Sequence, residues 1–328
     1  MTPSRLFAAA AVTMCLGCPA TGALAQGLST ATQTIDVMNT LWGKHAGTRA
    51  NHAKGVVVEG SFSATPAAAA LSKATIFSGQ PVQVTVRFSD STGLPALPDG
   101  SPDANPHGMS IKFYDANGDV DVVTNSLAFF PVATGEDFLA LLQALAASGP
   151  DAPKPTKADQ FLATHPSVGK AFGTVATPAS FARETYNGVD AFIFVSAEGK
   201  RQPFRFQFVP VAGTEHLTPE EAAKQPPDFL VDELPKRLAT QAVAFHMVAQ
   251  LADPEDQTRD PTKPWPADRK RVEMGTMVLT RAASDNVRAQ RELHFLPNRL
   301  MPGIEVSDDP LIDARVRAYV ISFGRRAH

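Results

Sequence analysis

Alternation of apolar and polar positions is the dominant pattern along this chain. Val82, Val84, Val86 and Phe88 alternate with Gln83, Thr85, Arg87 and Ser89, and Phe204, Phe206 and Phe208 alternate with Arg205 and Gln207. A period of two puts successive side chains on opposite faces of a strand, so such runs predict half-buried β-strands. Alternating or β-rich runs predict eight strands, at residues 56–65, 80–89, 109–114, 120–124, 191–196, 204–211, 243–251 and 272–280. Glu198-Gly199 is the turn signal between the fifth and sixth. Hairpin-like spacing predicts an antiparallel eight-stranded barrel, because closure removes exposed edges.

Helical signals fall between and after these strands. Thr134 with Asp137 makes a capping-box-like start for a helix over 138–147, and Thr218-Pro219 starts another with proline at its first position. A last helix begins at Asp309-Pro310 and runs to about Arg325. Barrel first and helices later give an α+β class in a single mature domain, 26–328. On a 3.6-residue turn, Leu311, Arg315, Tyr319 and, slightly off line, Ser322 and Arg326 share one face of that last helix. Taken alone, the pattern reads as an amphipathic helix with a solvated basic edge.

Composition narrows the class without naming a function. With 44% hydrophobic and 19% charged residues the chain is globular, and a net charge of −3 supplies no electrostatic footprint for nucleic acid. The amino terminus carries an address: Arg5, an apolar stretch from Leu6 to Leu16, then Ala23-Leu24-Ala25 as an A-x-A cleavage site. Residues 1–25 are therefore expected to be a secretory signal, with Gln26 the mature amino terminus and the periplasm the destination. A rival reading takes Leu16-Gly17-Cys18 as the end of a lipobox, although Cys15 stands where an aliphatic residue is expected. No segment is long and apolar enough to predict a membrane span. The chain's 2 cysteines, Cys15 and Cys18, both fall inside the signal, so the mature protein has none, which suits an oxidising compartment and exposure to peroxide.

Common catalytic strings are absent: there is no Walker A loop, G-x-G-x-x-G, G-x-S-x-G or H-E-x-x-H. Asp115-Ala116-Asn117-Gly118-Asp119-Val120-Asp121 resembles the start of a calcium loop, but its glycine is misplaced and position twelve is Ser126. A β-turn at Asn117-Gly118 between two strands accounts for it better.

Five segments, taken in order, carry a resemblance. They are Arg49-Ala50-Asn51-His52-Ala53-Lys54-Gly55; Val86-Arg87-Phe88-Ser89; Gly108-Met109-Ser110-Ile111-Lys112-Phe113-Tyr114; Asn125 with Phe129-Phe130; and Arg315-x-x-x-Tyr319. Their order and residue types resemble the haem catalase family, and most closely its short, exported branch of catalase-related peroxidases. Asp260-Pro261-Thr262 with Trp265-Pro266, and Phe295-Leu296-Pro297-Asn298 leading to Pro302-Gly303-Ile304, add to it.

The resemblance implies haem b as cofactor, lying between the barrel and the last helix. It makes Tyr319 the axial ligand of the haem iron, with Arg315 favouring the phenolate. It assigns Arg49, Arg87 and Arg326 to the haem propionates, His52 to the distal histidine, Asn125 to the distal amide and Ser89 to the hydroxyl orienting His52. Phe130 is expected to pack by the haem. The chain departs from large catalases at His107, where they carry arginine, and at the polar Asn51; it also lacks the extensions they use for interlocked tetramers, so a monomer or small homo-oligomer is expected. The implied activity is reduction of hydrogen peroxide or organic hydroperoxides by small organic electron donors, with residual catalase activity. Alternatives are catalase proper, a hydroperoxide isomerase of the allene oxide synthase type, a haem carrier without turnover, and a barrel binding an apolar ligand.

Overall fold

A computed structural model describes residues 19–326. The expected signal's apolar stretch, 6–16, and both cysteines lie outside the described residues. Element order is α1 (Pro19–Trp42), β1 (Gly55–Ala64), α2 (Pro66–Leu71), β2 (Val82–Ser89), β3 (Gly108–Tyr114), β4 (Val120–Asn125), α3 (Gly135–Ala146), α4 (Lys157–Thr164) and α5 (Pro166–Phe172). There follow β5 (Tyr186–Asn187), β6 (Phe192–Val195), β7 (Arg201–Pro210), α6 (Pro219–Ala222), α7 (Phe229–Leu238), β8 (Val243–Leu251), β9 (Arg271–Ala282), α8 (Asn286–Glu292), β10 (Ile304–Val306) and α9 (Pro310–Arg326).

Every predicted run is a strand, and the sheet closes. The ring runs β1–β2–β3–β4–β5–β7–β8–β9 and back to β1, with every pairing antiparallel. Membership of the ring differs from expectation at one place. The predicted run at 191–196 becomes β6, which pairs with the first half of β7 and carries β10 on its other edge, outside the ring. Its place beside β4 is taken by the two-residue β5, through Asn125↔Asn187 and Tyr186↔Phe208. Two residues are too few to display a period, so nothing local marks this strand.

Inward positions fill the barrel. Along β8, Val243, Phe245, Met247, Ala249 and Leu251 are buried while the residues between them are half-exposed. Phe62, Phe88, Phe113, Phe204, Phe208, Phe245 and Tyr186 join them in one core, with Phe62 and Phe113 edge-to-face at 5.4 Å. An eight-stranded ring is just wide enough for such side chains to fill it. The barrel is therefore a solid scaffold, and a site has to lie on its outer face.

Helix starts follow their caps. Thr134 Oγ1 accepts from the Asp137 main-chain N at 3.1 Å to open α3, and Thr218 with Glu221 forms a reciprocal capping box at α6. The proline-rich stretch 149–157 joins α3 to α4 and ends in a second such box, Thr156 with Asp159. Asn117-Gly118 forms the β3–β4 turn, with Gly118 at φ 124°. Not all helices follow the strands, however. Helix α1 precedes them, and its Ile35 and Met38 pack with Leu142 of α3 and with Ala318 and Ile321 of α9. The i, i+3, i+7 spacing of buried Ala31, Thr34 and Met38, with Ile35 beside them, is a helical signature present in the sequence. None of the described helices is long and apolar enough to cross a membrane.

Candidate functional site

Strand register builds one wall of the site. Ser89, Gly108 and Asn125 stand opposite one another across β2, β3 and β4, and Arg87, Ser110 and Val123 form the next row on the same face. Because Phe88 and Met109 point into the barrel, parity turns these rows outward. They face α9, whose Leu311, Arg315, Tyr319, Ser322 and Arg326 project toward them, with α1 and the start of α3 closing the side. The cavity between them measures about 800 Å³. All nine residues implied by the resemblance line it: Arg49, His52, Arg87, Ser89, Asn125, Phe130, Arg315, Tyr319 and Arg326.

His52 lies on the strand-side wall, in the loop before β1. Its backbone adopts φ 57°, a left-handed conformation seldom used by non-glycine residues, and Asn51 Oδ1 accepts its main-chain N–H at 2.9 Å. Nδ1 lies 2.8 Å from the main-chain oxygen of Asp90 and 3.2 Å from Ser89 Oγ. A carbonyl can only accept, so Nδ1 carries the proton and Nε2 keeps its lone pair for the cavity. Burial, then the charge of Arg87, pulls the imidazole down to about 4, well below the usual histidine range, so the ring is neutral at neutral pH. Glycine at 108 is what admits the ring: a Cβ there would stand 2.8 Å from Ser89 Oγ and 3.2 Å from His52 Nδ1. Asn125 Oδ1 accepts from the Leu127 main-chain N at 2.9 Å, leaving the amide N–H groups for the cavity. Phe130 packs edge-tilted on Phe138, with ring centroids 5.6 Å apart.

Tyr319 lies on the opposite, helical wall. Its phenol oxygen accepts from Arg315 Nε at 3.2 Å and Nη2 at 3.1 Å, while Arg315 Nη1 pairs with Asp190. Burial disfavours the Arg315 charge, but Asp190 and Tyr319 outweigh it and hold the guanidinium above its ordinary value. Two charge-assisted donors thus converge on one phenol oxygen and fix its position on the cavity wall.

A cluster of arginines occupies a third part of the cavity. Arg49 Nη1 and Nη2 donate to Gln290 O and Leu293 O at 3.0 and 2.7 Å. Arg326 uses the same two oxygens at 3.1 and 2.8 Å. Arg87 donates Nε and Nη2 to Gln290 Oε1 at 3.1 and 2.8 Å, and Nη2 also to His52 O at 2.8 Å. Among the described residues none of the three makes an ion pair, and Arg326 Nε is buried without a partner. Burial first, then mutual repulsion, pulls Arg87 down to about 9; burial pulls Arg326 to about 10; Arg49 falls for both reasons. Uncompensated buried cations are costly, and an anion carrying two carboxylates relieves that cost. The donor set therefore fits a haem: a phenol oxygen primed by a guanidinium, an apolar-lined cavity, and cations for its propionates.

Three residues here, Asp90, Gln290 and Asp190, are marked by no motif. Asp90 is fully buried behind His52, and its Oδ1 lies 3.1 Å from Nδ1 of the equally buried His107, the position singled out above as a departure from large catalases. Gln290 and Asp190 carry no local signal, because their partners lie 36 to 241 residues away. The helical period of α1 was available to be read.

The chain matches the family model described as Catalase over residues 21–326. It is 35% identical to a catalase-related peroxidase from Mycolicibacterium paratuberculosis over 88% of this chain and 92% of that protein. It is 31% identical to a catalase-related peroxidase from Synechococcus elongatus, over 98% of this chain and 95% of that one. The structure of a bacterial catalase, 22% identical, superposes with a TM-score of 0.77 over 99% of this chain; this chain spans 64% of that catalase. Closed barrel, outward-facing site, family match and relatives agree: this chain belongs to the catalase family.

Proposed function

We propose that this protein is a haem b-dependent peroxidase that reduces hydrogen peroxide or organic hydroperoxides at the expense of small organic donors, with residual catalase activity. The observation that carries the reading is the cluster of Arg49, Arg87 and Arg326, none of them in an ion pair among the described residues, in the same cavity as His52 and the Arg315-bound Tyr319. The two relatives quoted above, covered almost end to end, bear the name catalase-related peroxidase.

When bound, the haem supplies the redox chemistry toward peroxide. Tyr319 would hold its iron, and the three arginines its propionates. The residues of the chain orient the substrate and move its protons. His52 Nε2, unprotonated because Nδ1–H is committed to Asp90 O, accepts a proton from the incoming peroxide and returns it to the leaving oxygen. Asn125 donates a hydrogen bond to the peroxide from its free amide, and Ser89 steadies the histidine ring. The chemistry of a carrier alone would not require a neutral, tautomer-locked histidine across the cavity.

Export completes the proposal: cleavage after Ala25 delivers a cysteine-free chain beginning at Gln26 to the periplasm. The test of activity is direct. The protein purified with haem supplied should show a ferric high-spin spectrum, consume peroxide, and oxidise a phenolic dye faster than it releases oxygen at low peroxide. Oxygen release without dye oxidation would identify a plain catalase, and a colourless protein would refute the haem reading.

A further inference from the structure

We propose that Gln290 is the positioning residue of the arginine cluster, and that its neutral side chain is what leaves the cluster's charge free for an anionic cofactor. The inference rests on the haem reading above, but its subject is a residue of α8 that no motif marks.

Gln290 takes hydrogen bonds from all three arginines. Its main-chain oxygen accepts from Arg49 at 3.0 Å and Arg326 at 3.1 Å, and its Oε1 accepts two bonds from Arg87, at 3.1 and 2.8 Å. These arginines come from the loop before β1, from β2 and from the end of α9, so one residue ties together three distant segments. Its carbonyl is available because it lies in the last turn of α8, where main-chain oxygens lack intrahelical donors. Leu293 O, just past the same helix end, supplies the second shared acceptor.

The choice of glutamine matters physically. A buried guanidinium needs acceptors, and an unpaired one is expensive. An amide oxygen satisfies Nε and Nη2 of Arg87 in fork geometry without adding charge. A glutamate of the same length would satisfy the same two donors more strongly and would cancel the charge. The cluster's hydrogen-bond acceptors are thus neutral oxygens, so the guanidiniums are ordered without an ion pair among the described residues, and the buried Asp90 carboxylate offsets only part of the charge on Arg87.

This makes a prediction that a merely structural role reverses. Titration of the haem-free protein with haemin should give affinities in the order wild type, then Gln290→Ala, then Gln290→Glu. We expect Gln290→Glu to lose at least about 10-fold, the size of a charge-assisted contact. The thermal midpoint of the haem-free protein should move the other way, with Gln290→Glu at or above wild type. Haemin dimethyl ester, which lacks the two negative charges, should bind wild type and Gln290→Glu alike. Glutamate binding haemin as tightly as wild type, or alanine proving worse than glutamate, would overturn the inference while leaving the haem reading intact. Failure of the wild type to bind haemin at all would instead remove the reading on which it rests.

Discussion

His52 Nδ1 donates to the main-chain oxygen of Asp90 across 2.8 Å, and that single bond decides which nitrogen faces the cavity. With the imidazole held down to about 4 by burial and Arg87, the proton-accepting form persists through neutral and mildly acid pH. Peroxide turnover should therefore stay level down to near pH 4 and fall only below it. The stability contribution has a definite sign. An unfolded histidine titrates near about 6.5, so between that value and about 4 the unfolded chain binds the extra proton. The His52 contribution is fully present above about 6.5 and is lost as pH falls toward 4. A pH–rate profile with urea unfolding at pH 7 and pH 5 checks both, and an acid limb at 6.5 would show that the ring is not buried in the working state.

His52→Ala removes the proton carrier and none of the groups proposed to hold haem. Haem content and resting spectrum should stay near wild type while peroxide consumption falls by about 10²–10⁴-fold. Asn125→Ala should give a smaller loss in the same direction, since it removes a hydrogen bond only. Unchanged turnover in His52→Ala would overturn the mechanism.

Gly108→Ala probes the same histidine without touching it. Its Cβ would stand 2.8 Å from Ser89 Oγ and 3.2 Å from His52 Nδ1, so the Ser89 hydroxyl that steadies the ring must move and the ring must give slightly. Misplacing a catalytic group by an ångström costs on the order of 10²-fold, which sets the upper bound for this smaller displacement. We expect turnover to fall by about 10–100-fold with haem affinity retained, read by paired haem titration and oxygen-electrode assays.

Tyr319→Phe deletes the oxygen that accepts two bonds from Arg315, leaving Asp190 as that guanidinium's remaining partner. The variant should lose haem during gel filtration, or keep it with a changed absorption spectrum. The haem-free protein should be destabilised by about 1–3 kcal/mol, the cost of stranding buried donors. A wild-type spectrum in this variant would remove α9 from the proposed ligand set.

Processing has a structural corollary. The proposed cleavage point, between Ala25 and Gln26, falls within α1, and Thr30, Ile35 and Met38, which contact α3 and α9, stay on the exported side of it. The exported chain should have a mass starting at Gln26 and melt at the same temperature as the unprocessed form. A diacylglyceryl-modified Cys18 in the exported protein would refute this route.

Much of the architecture was already legible in local pattern. Period-two alternation at Val82–Ser89 and Val243–Leu251 predicts strands because the pleat repeats every two residues. Leu311, Arg315 and Tyr319 share a face because a helix turns every 3.6 residues, and that face does line the cavity. Residue order along the chain likewise named nine lining residues through their resemblance to a family. The rest depended on contacts that no window of sequence contains. Strand β5 is too short to have a period, and it enters the ring only because β4 and β7 flank it. The tautomer of His52 is set by a carbonyl 38 residues away, and the order of the arginines by Gln290, up to 241 residues away. Hydrogen bonding, burial and charge repulsion depend on distance in space, so closure of the barrel and packing of α8 and α9 against it decided them.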